Sequence, residues 1–412
     1  MSAPQPASST AQDAGAGRSL LRDFSLSAAT AGFVAVLVGF TSSVAIVFQA
    51  ATALGATQAQ LTSWMWALGL GMGLTSLLPA WWLRQPVMVA WSTPGAAVLA
   101  AGAVGAAGSG GFNMAQATGA FIFCGALILL SGATGWFERV MNRLPMALAA
   151  ALLAGVLARF GLQAFTAAGS EFGLVATMLV TYLLGRRLAP RYAVMAVLVV
   201  GVLWCVAAGQ MRMESVSWSL AVPVFTMPVF DLAAIISLGV PLFIVTMASQ
   251  NLPGVAAIRA AGYDMPISKI ISLTGIATLV LAPFGAFALN LSAITAAICM
   301  GPEAHEDPKR RYVAAMTSGL LYTLLGLFGG AIAGLLIAFP KAFISAIAGL
   351  ALLGTIGAGL ATALKDEADR EAALITFLVT LSGVSILGVG SAFWGVVAGV
   401  LALVVQRAWK AR

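Results

Sequence analysis

Apolar runs of the length that crosses a bilayer, separated by short polar gaps, dominate this chain from residue 26 almost to its end. Roughly 20 consecutive apolar residues span a membrane as one helix. The gaps are too small and the charges too few for a water-facing surface. Charged residues make up 8% of the 412 residues and hydrophobic ones 60%, against about 25% charged in a soluble domain. The mean hydropathy is +0.99. An outer-membrane barrel would alternate apolar and polar residues in segments of about 10, and these runs do not alternate. The sequence predicts an all-α polytopic membrane protein. The net charge of +7 comes from short basic loops and not from a basic face, which excludes a nucleic-acid partner.

Punctuation by Gly, Pro and charge divides the chain into fourteen expected spans: 26–50, 60–80, 87–104, 114–134, 145–167, 172–188, 190–208, 231–258, 267–283, 285–301, 312–338, 341–362, 372–388 and 390–408. Positive charge collects in cytoplasmic loops. With the N-terminus inside, only Arg159, Arg212 and Lys341 of the 21 basic residues fall toward the outside. Both termini are therefore expected in the cytoplasm. Residues 1–24 form a polar tail without the ordered basic, apolar and cleavage regions of a signal peptide.

The chain also resembles itself. Trp136–Gly161 aligns with Ala331–Ile356 at an offset of 195, which puts Pro145 on Pro340, each opening an Ala/Leu/Gly-rich helix. Thr41–Gly55 pairs more weakly with Ala248–Gly262. The expected repeats are 25–209 and 231–408, joined by an external loop at 210–230. Seven spans per repeat is an odd number, so the second inserts upside down, as in secondary transporters whose substrate sits between the halves.

Spans three and ten carry the candidate site. The first reads QPVMVAWSTPGAA and the second PFGAFALNLSAITA, each an extended-looking run, a polar cluster and then small helix-forming residues. Ser92-Thr93-Pro94-Gly95 is a helix-start signature, and Asn290 and Ser292 can cap the counterpart. A helix that begins at mid-membrane turns its free N–H groups and positive dipole end toward an anion. Gly95, Ala96, Ala293 and Ile294 are the expected backbone donors. Ser42 and Ser43 in span one, and Gln250 and Asn251 in span eight, supply matching polar clusters next to a Pro253-Gly254 break. Trp91, Phe40 and Phe287 are the expected apolar walls. Trp64, Trp66, Trp81 and Trp82 suit the membrane interface.

Other chemistry is absent from the sequence. Cys124, Cys205 and Cys299 lie far apart in apolar segments, and His305 sits in a charged loop with Glu303, Glu306 and Asp307, where solvated side chains are expected. No phosphate loop, zinc motif or nucleophile elbow occurs, so the chain reads as a non-enzyme without a cofactor.

The stretches VMVAWSTPGAAVL, SQNLPGVAAIRAAGYD and AFALNLSAITAAICMGPEAHEDP resemble the bacterial benzoate:proton symporter family, over about residues 25–408. The resemblance implies a multi-pass protein of the inner membrane that takes up benzoate or a similar aromatic carboxylate with protons. Its partners would be that substrate, protons and the surrounding lipid, with room for a homodimer. The architecture is similar to nucleobase and sulfate-permease transporters, which implies a core domain (25–142 plus 231–339) and a gate domain (143–209 plus 340–408). Nucleobase transporters carry acidic residues in spans eight and ten. The corresponding places here hold Gln250, Asn251 and Asn290, and a site without carboxylates suits an anion. An anion channel or exchanger on the same fold is the competing reading, because a dipole-lined site would serve it equally.

Overall fold

The structure is a computed structural model that describes residues 23–41, 43–105, 111–211, 220–328, 339–384, 386 and 391–410. Ser42, residues 212–219 of the 210–230 loop, residues 331–338 of the expected repeat match and residues 1–22 of the polar tail lie outside the described residues.

The chain is mostly helical. Helix α1 (Leu26–Thr41) and α2 (Val44–Ala53) flank a break. There Thr41 Oγ1 donates to the carbonyl of Leu37, and Ser43 Oγ donates to that of Gly39 at 2.9 Å. Hydroxyls that bond back one turn compete with the helix ladder and bend it. Helix α3 (Gln58–Leu83) starts at a reciprocal cap between Thr57 and Gln60 and stops at Arg84, whose φ is +49°. Strand β1 (Val89–Trp91) follows, then α4 (Thr93–Gly105), α5 (Met114–Thr134), the short α6 (Trp136–Met141), α7 (Met146–Thr166), α8 (Phe172–Leu188) and α9 (Ala193–Ala207).

The second half opens with α10 (Leu232–Ala260), which widens into π turns at Ile235–Gly239 and Met247–Asn251. Then come α11 (Ile267–Leu281), strand β2 (Leu289–Leu291), α12 (Ile294–Met300), α13 (Tyr312–Leu327), α14 (Lys341–Ala363), α15 (Arg370–Ser382) and α16 (Ser391–Lys410). Each of the fourteen apolar stretches holds helix. Among the described residues, six continuous helices are long and apolar enough to cross a membrane, or seven with the helix pair that bends at Gly354. The others are shorter, and 87–104 and 285–301 divide into a strand and a helix.

The two strands meet head to tail. β1 and β2 pair antiparallel, with Val89 opposite Leu291, Ala90 opposite Asn290 and Trp91 opposite Leu289. The ladder extends one bond each way, from Ser92 N–H to Ala288 O and from Ser292 N–H to Met88 O, both 3.0 Å. Every backbone group in a membrane interior needs a partner, and two broken segments satisfy each other here. Around this crossing α3 lies along α13, α5 along α11, and α7 along α14. Close approach depends on missing side chains: a Cβ on Gly69 would fall 2.5 Å from Gly326 Cα.

Local features recur between the halves. Pro145 and Pro340 precede α7 and α14 with φ/ψ of −57°/142° and −59°/143°. Gly55 and Gly262 end α2 and α10 with φ of +76° and +79°. Each sits in the same pair of backbone bonds, Gly55 N–H to Thr52 O with Ala56 N–H to Ala51 O, and Gly262 N–H to Arg259 O with Tyr263 N–H to Ile258 O.

Some expectations of exposure are corrected. Trp64 is buried against Phe121 and Phe287, each at 5.6 Å between ring centroids, and not interfacial. Glu303 and His305, in the loop after α12, are buried too.

Candidate functional site

A cavity of about 380 Å³ lies beside the strand crossing, within the size range of ligand sites. Both strands' flanks line it, and so do helices from the two segment sets expected to form core and gate. From the first set come Gly39, Ser43, Met72, Trp91, Thr93, Gln250, Ser292, Ile294 and Tyr322. From the second come Val156, Arg159, Phe160 and Gln163 on α7, Thr380 and Gly383 at the end of α15, and Ser391 and Ala392 on α16.

Six of the expected site residues are thus brought together: Ser43, Trp91, Thr93, Gln250, Ser292 and Ile294. Trp91 is held by a bond from its Nε1–H to Ser43 Oγ at 2.8 Å, and its ring leans on Phe40 at 5.7 Å. Gln250 projects from the second π turn of α10, and its amide makes no hydrogen bond to any described residue.

The remaining expected residues do other work. Ser92 Oγ accepts the Gly95 N–H at 3.1 Å and the Thr246 hydroxyl at 2.8 Å, while the Ala96 N–H goes to Ser92 O. Pro94 has no N–H. Two of the expected anion donors, Gly95 and Ala96, are therefore engaged at the start of α4. At the cavity wall, Ser292 Oγ accepts from the Thr295 hydroxyl at 2.7 Å and the Thr295 N–H at 3.4 Å, in the first turn of α12. Ala293 is buried and off the cavity.

Asn251 is wholly buried: its Oδ1 accepts the Leu291 N–H at 2.9 Å and its Nδ2 reaches Met247 Sδ. It ties α10 to β2 and does not line the cavity. Asn290, also wholly buried, donates from Nδ2 to Leu291 O at 3.1 Å, and its Oδ1 has no partner among the described residues. Phe287 packs into the Trp64–Phe121 cluster behind the strands.

Arg159 is the residue that the reading of the broken spans passed over. It lines the cavity from α7 and has neither hydrogen bond nor ion pair among the described residues. Its guanidinium lies over Gly383, where an added Cβ would stand 2.8 Å from Cζ. The signal was in the sequence: Arg159 is the one charge in the α7 segment, and an ionisable residue inside a membrane helix marks a functional site by default. No Asp or Glu lines the cavity among the described residues.

The chain is similar to known membrane proteins over most of its length. The family profile described as benzoate membrane transport protein matches residues 22–405. The inner membrane protein YdcO of Escherichia coli (strain K12) is 49% identical over 375 residues, covering 91% of this chain and 94% of the relative. The benzoate membrane transport protein of Acinetobacter baylyi is 37% identical over 385 residues, covering 93% and 96%. Among solved structures, the transmembrane domain of a cyanobacterial bicarbonate transporter, BicA, aligns over 92% of this chain and 96% of that one, with 14% identity and a TM-score of 0.47.

Proposed function

This chain belongs to the benzoate membrane transport protein family, and from that premise we propose that it imports benzoate or a similar aromatic carboxylate across the bacterial inner membrane by proton symport. The observation that carries the reading is the cavity between the two segment sets, walled by Trp91, Phe160, Met72 and Tyr322 and free of carboxylates among the described residues. An aromatic ring gains by leaving water for such walls, at roughly 25 cal/mol per Å² of apolar surface. A nearby Asp or Glu would repel the substrate's own charge.

The mechanism proposed is alternating access. A core of 25–142 plus 231–339 carries the strand crossing and the Gln250 turn. A gate of 143–209 plus 340–408 carries α7, α14 and the tip of α15. Fourteen spans in two inverted repeats, with both termini cytoplasmic, are the topology this mechanism needs. The mutual pairing of β1 with β2 and the matched starts of α7 and α14 support it.

Uptake of labelled benzoate into proteoliposomes, with and without an imposed inward proton gradient, tests the proposal. Accumulation above equilibrium that depends on the gradient is the expected outcome. Downhill flux that carries current and ignores the gradient would instead establish an anion channel.

A further inference from the structure

We infer that Arg159 receives the carboxylate of the substrate, so that an anion in the cavity ties the gate segment α7 to the core. The inference deepens the benzoate reading and rests on it for the identity of the anion.

Three observations lead there. First, the helix starts at the cavity have several of their donors engaged within their own first turns, those of Gly95, Ala96 and Thr295. Ser92 takes the Gly95 N–H, Pro94 offers none, and Ser292 takes the Thr295 N–H. A capped helix end keeps its dipole but gives an anion few hydrogen bonds. Second, among the described residues Arg159 is the only cation lining the cavity, and it has no partner there. A guanidinium held in a protein with no anionic partner is poised for a ligand, because its planar fork matches a carboxylate with two parallel bonds. Third, space is kept for it. Gly383 has φ of +71°, and a side chain there would collide with the Arg159 guanidinium at 2.8 Å. The left-handed turn that ends α15 thus leaves the group free to lie against the cavity wall. Gln250, whose side chain has no partner among the described residues, lines the wall from the core and can donate through its amide.

Two arms test the inference on full-length protein in lipid nanodiscs. In the first, anion affinity is measured by titration calorimetry for wild type, R159Q and R159K. The panel holds benzoate, acetate, bicarbonate and chloride, with neutral benzamide as control. R159Q should lose roughly 10- to 150-fold in benzoate affinity, the range for one hydrogen bond to a charged group, while benzamide binding hardly moves. R159K keeps the charge without the fork and should fall between. In the second arm, needing no variant, phenylglyoxal modification of Arg159 is followed by mass spectrometry. Benzoate should protect it and benzamide should not.

Well-folded R159Q with unchanged benzoate affinity, or modification indifferent to benzoate, overturns the inference. A wild-type protein that binds another anion of the panel in place of benzoate, and loses it in R159Q, sinks the substrate reading and leaves the role of Arg159 standing. A wild-type protein that binds no anion of the panel overturns both.

Discussion

Gln250 and Asn251 are neighbours in the chain and meet opposite surroundings. Consecutive residues of a helix point about 100° apart, so one of such a pair turns away from whatever the other faces. Gln250 lines the cavity, and Asn251 is buried on the Leu291 N–H. Their polarity was legible as a mark of a special place in α10, but which of the two faced a ligand depends on the π turn, which no local pattern announces. Trp91 and Thr93 were legible because Ser, Thr and Pro together break a membrane helix. Charge distribution marks Arg159 only as a residue near the outside, although its position inside an apolar helix is the stronger clue. Asn251→Ala should leave benzoate affinity near wild type and lower stability by about 1–3 kcal/mol, because it strands a buried N–H. Thermal unfolding in detergent beside a binding isotherm checks this; wild-type stability with lost affinity would return Asn251 to the binding site.

At the scale of elements, the starts of α4 and α12 explain why the crossing holds. Each strand needs a partner with the right register, and each following helix needs its first turn capped. Ser92 does both, through its backbone N–H to Ala288 O and its hydroxyl under Gly95. Ser92→Ala should therefore destabilise the protein by about 0.5–2 kcal/mol, the usual cost of a lost N-terminal cap. Urea or thermal melts read this, and an unchanged melt would mean that Thr246 or water replaces the cap. The extended runs before both helices could be seen in the sequence. Their pairing could not, since Trp91 and Leu289 lie far apart in the chain and neither carries a mark of the other. The short span-like segments, such as α9 and α15, also exceed what hydropathy resolves, because length alone does not separate a full crossing from a buried helix.

Across the whole molecule, the two segment sets touch at a second place. Arg186 on α8 donates to Glu303 Oε1 at 3.1 Å, and Glu303 packs on Gly354 of α14. Burial pushes the Glu303 carboxyl above the usual carboxylate range, and Arg186 and Arg311 pull it only partly back. An acid raised in the folded state favours that state when protonated; its contribution is present below the ordinary carboxylate pKa and is lost as pH rises through the raised one. Glu303→Gln removes that titration. The melting temperature of E303Q should exceed wild type at neutral pH, and the gap should close on acidification. A less stable E303Q at neutral pH would show that the ion pair outweighs its burial. The matched helix starts at Pro145 and Pro340 were legible because proline punctuates both, whereas a buried Glu303 was not, since a charged loop ordinarily faces water. Alternating access would hold an aromatic carboxylate between two moving parts. Counterflow measures this most directly: proteoliposomes loaded with unlabelled benzoate, without any gradient, receive trace labelled benzoate outside. Alternating access predicts a transient overshoot of label inside, lost in R159Q, whereas a monotonic rise to equilibrium without overshoot would contradict it.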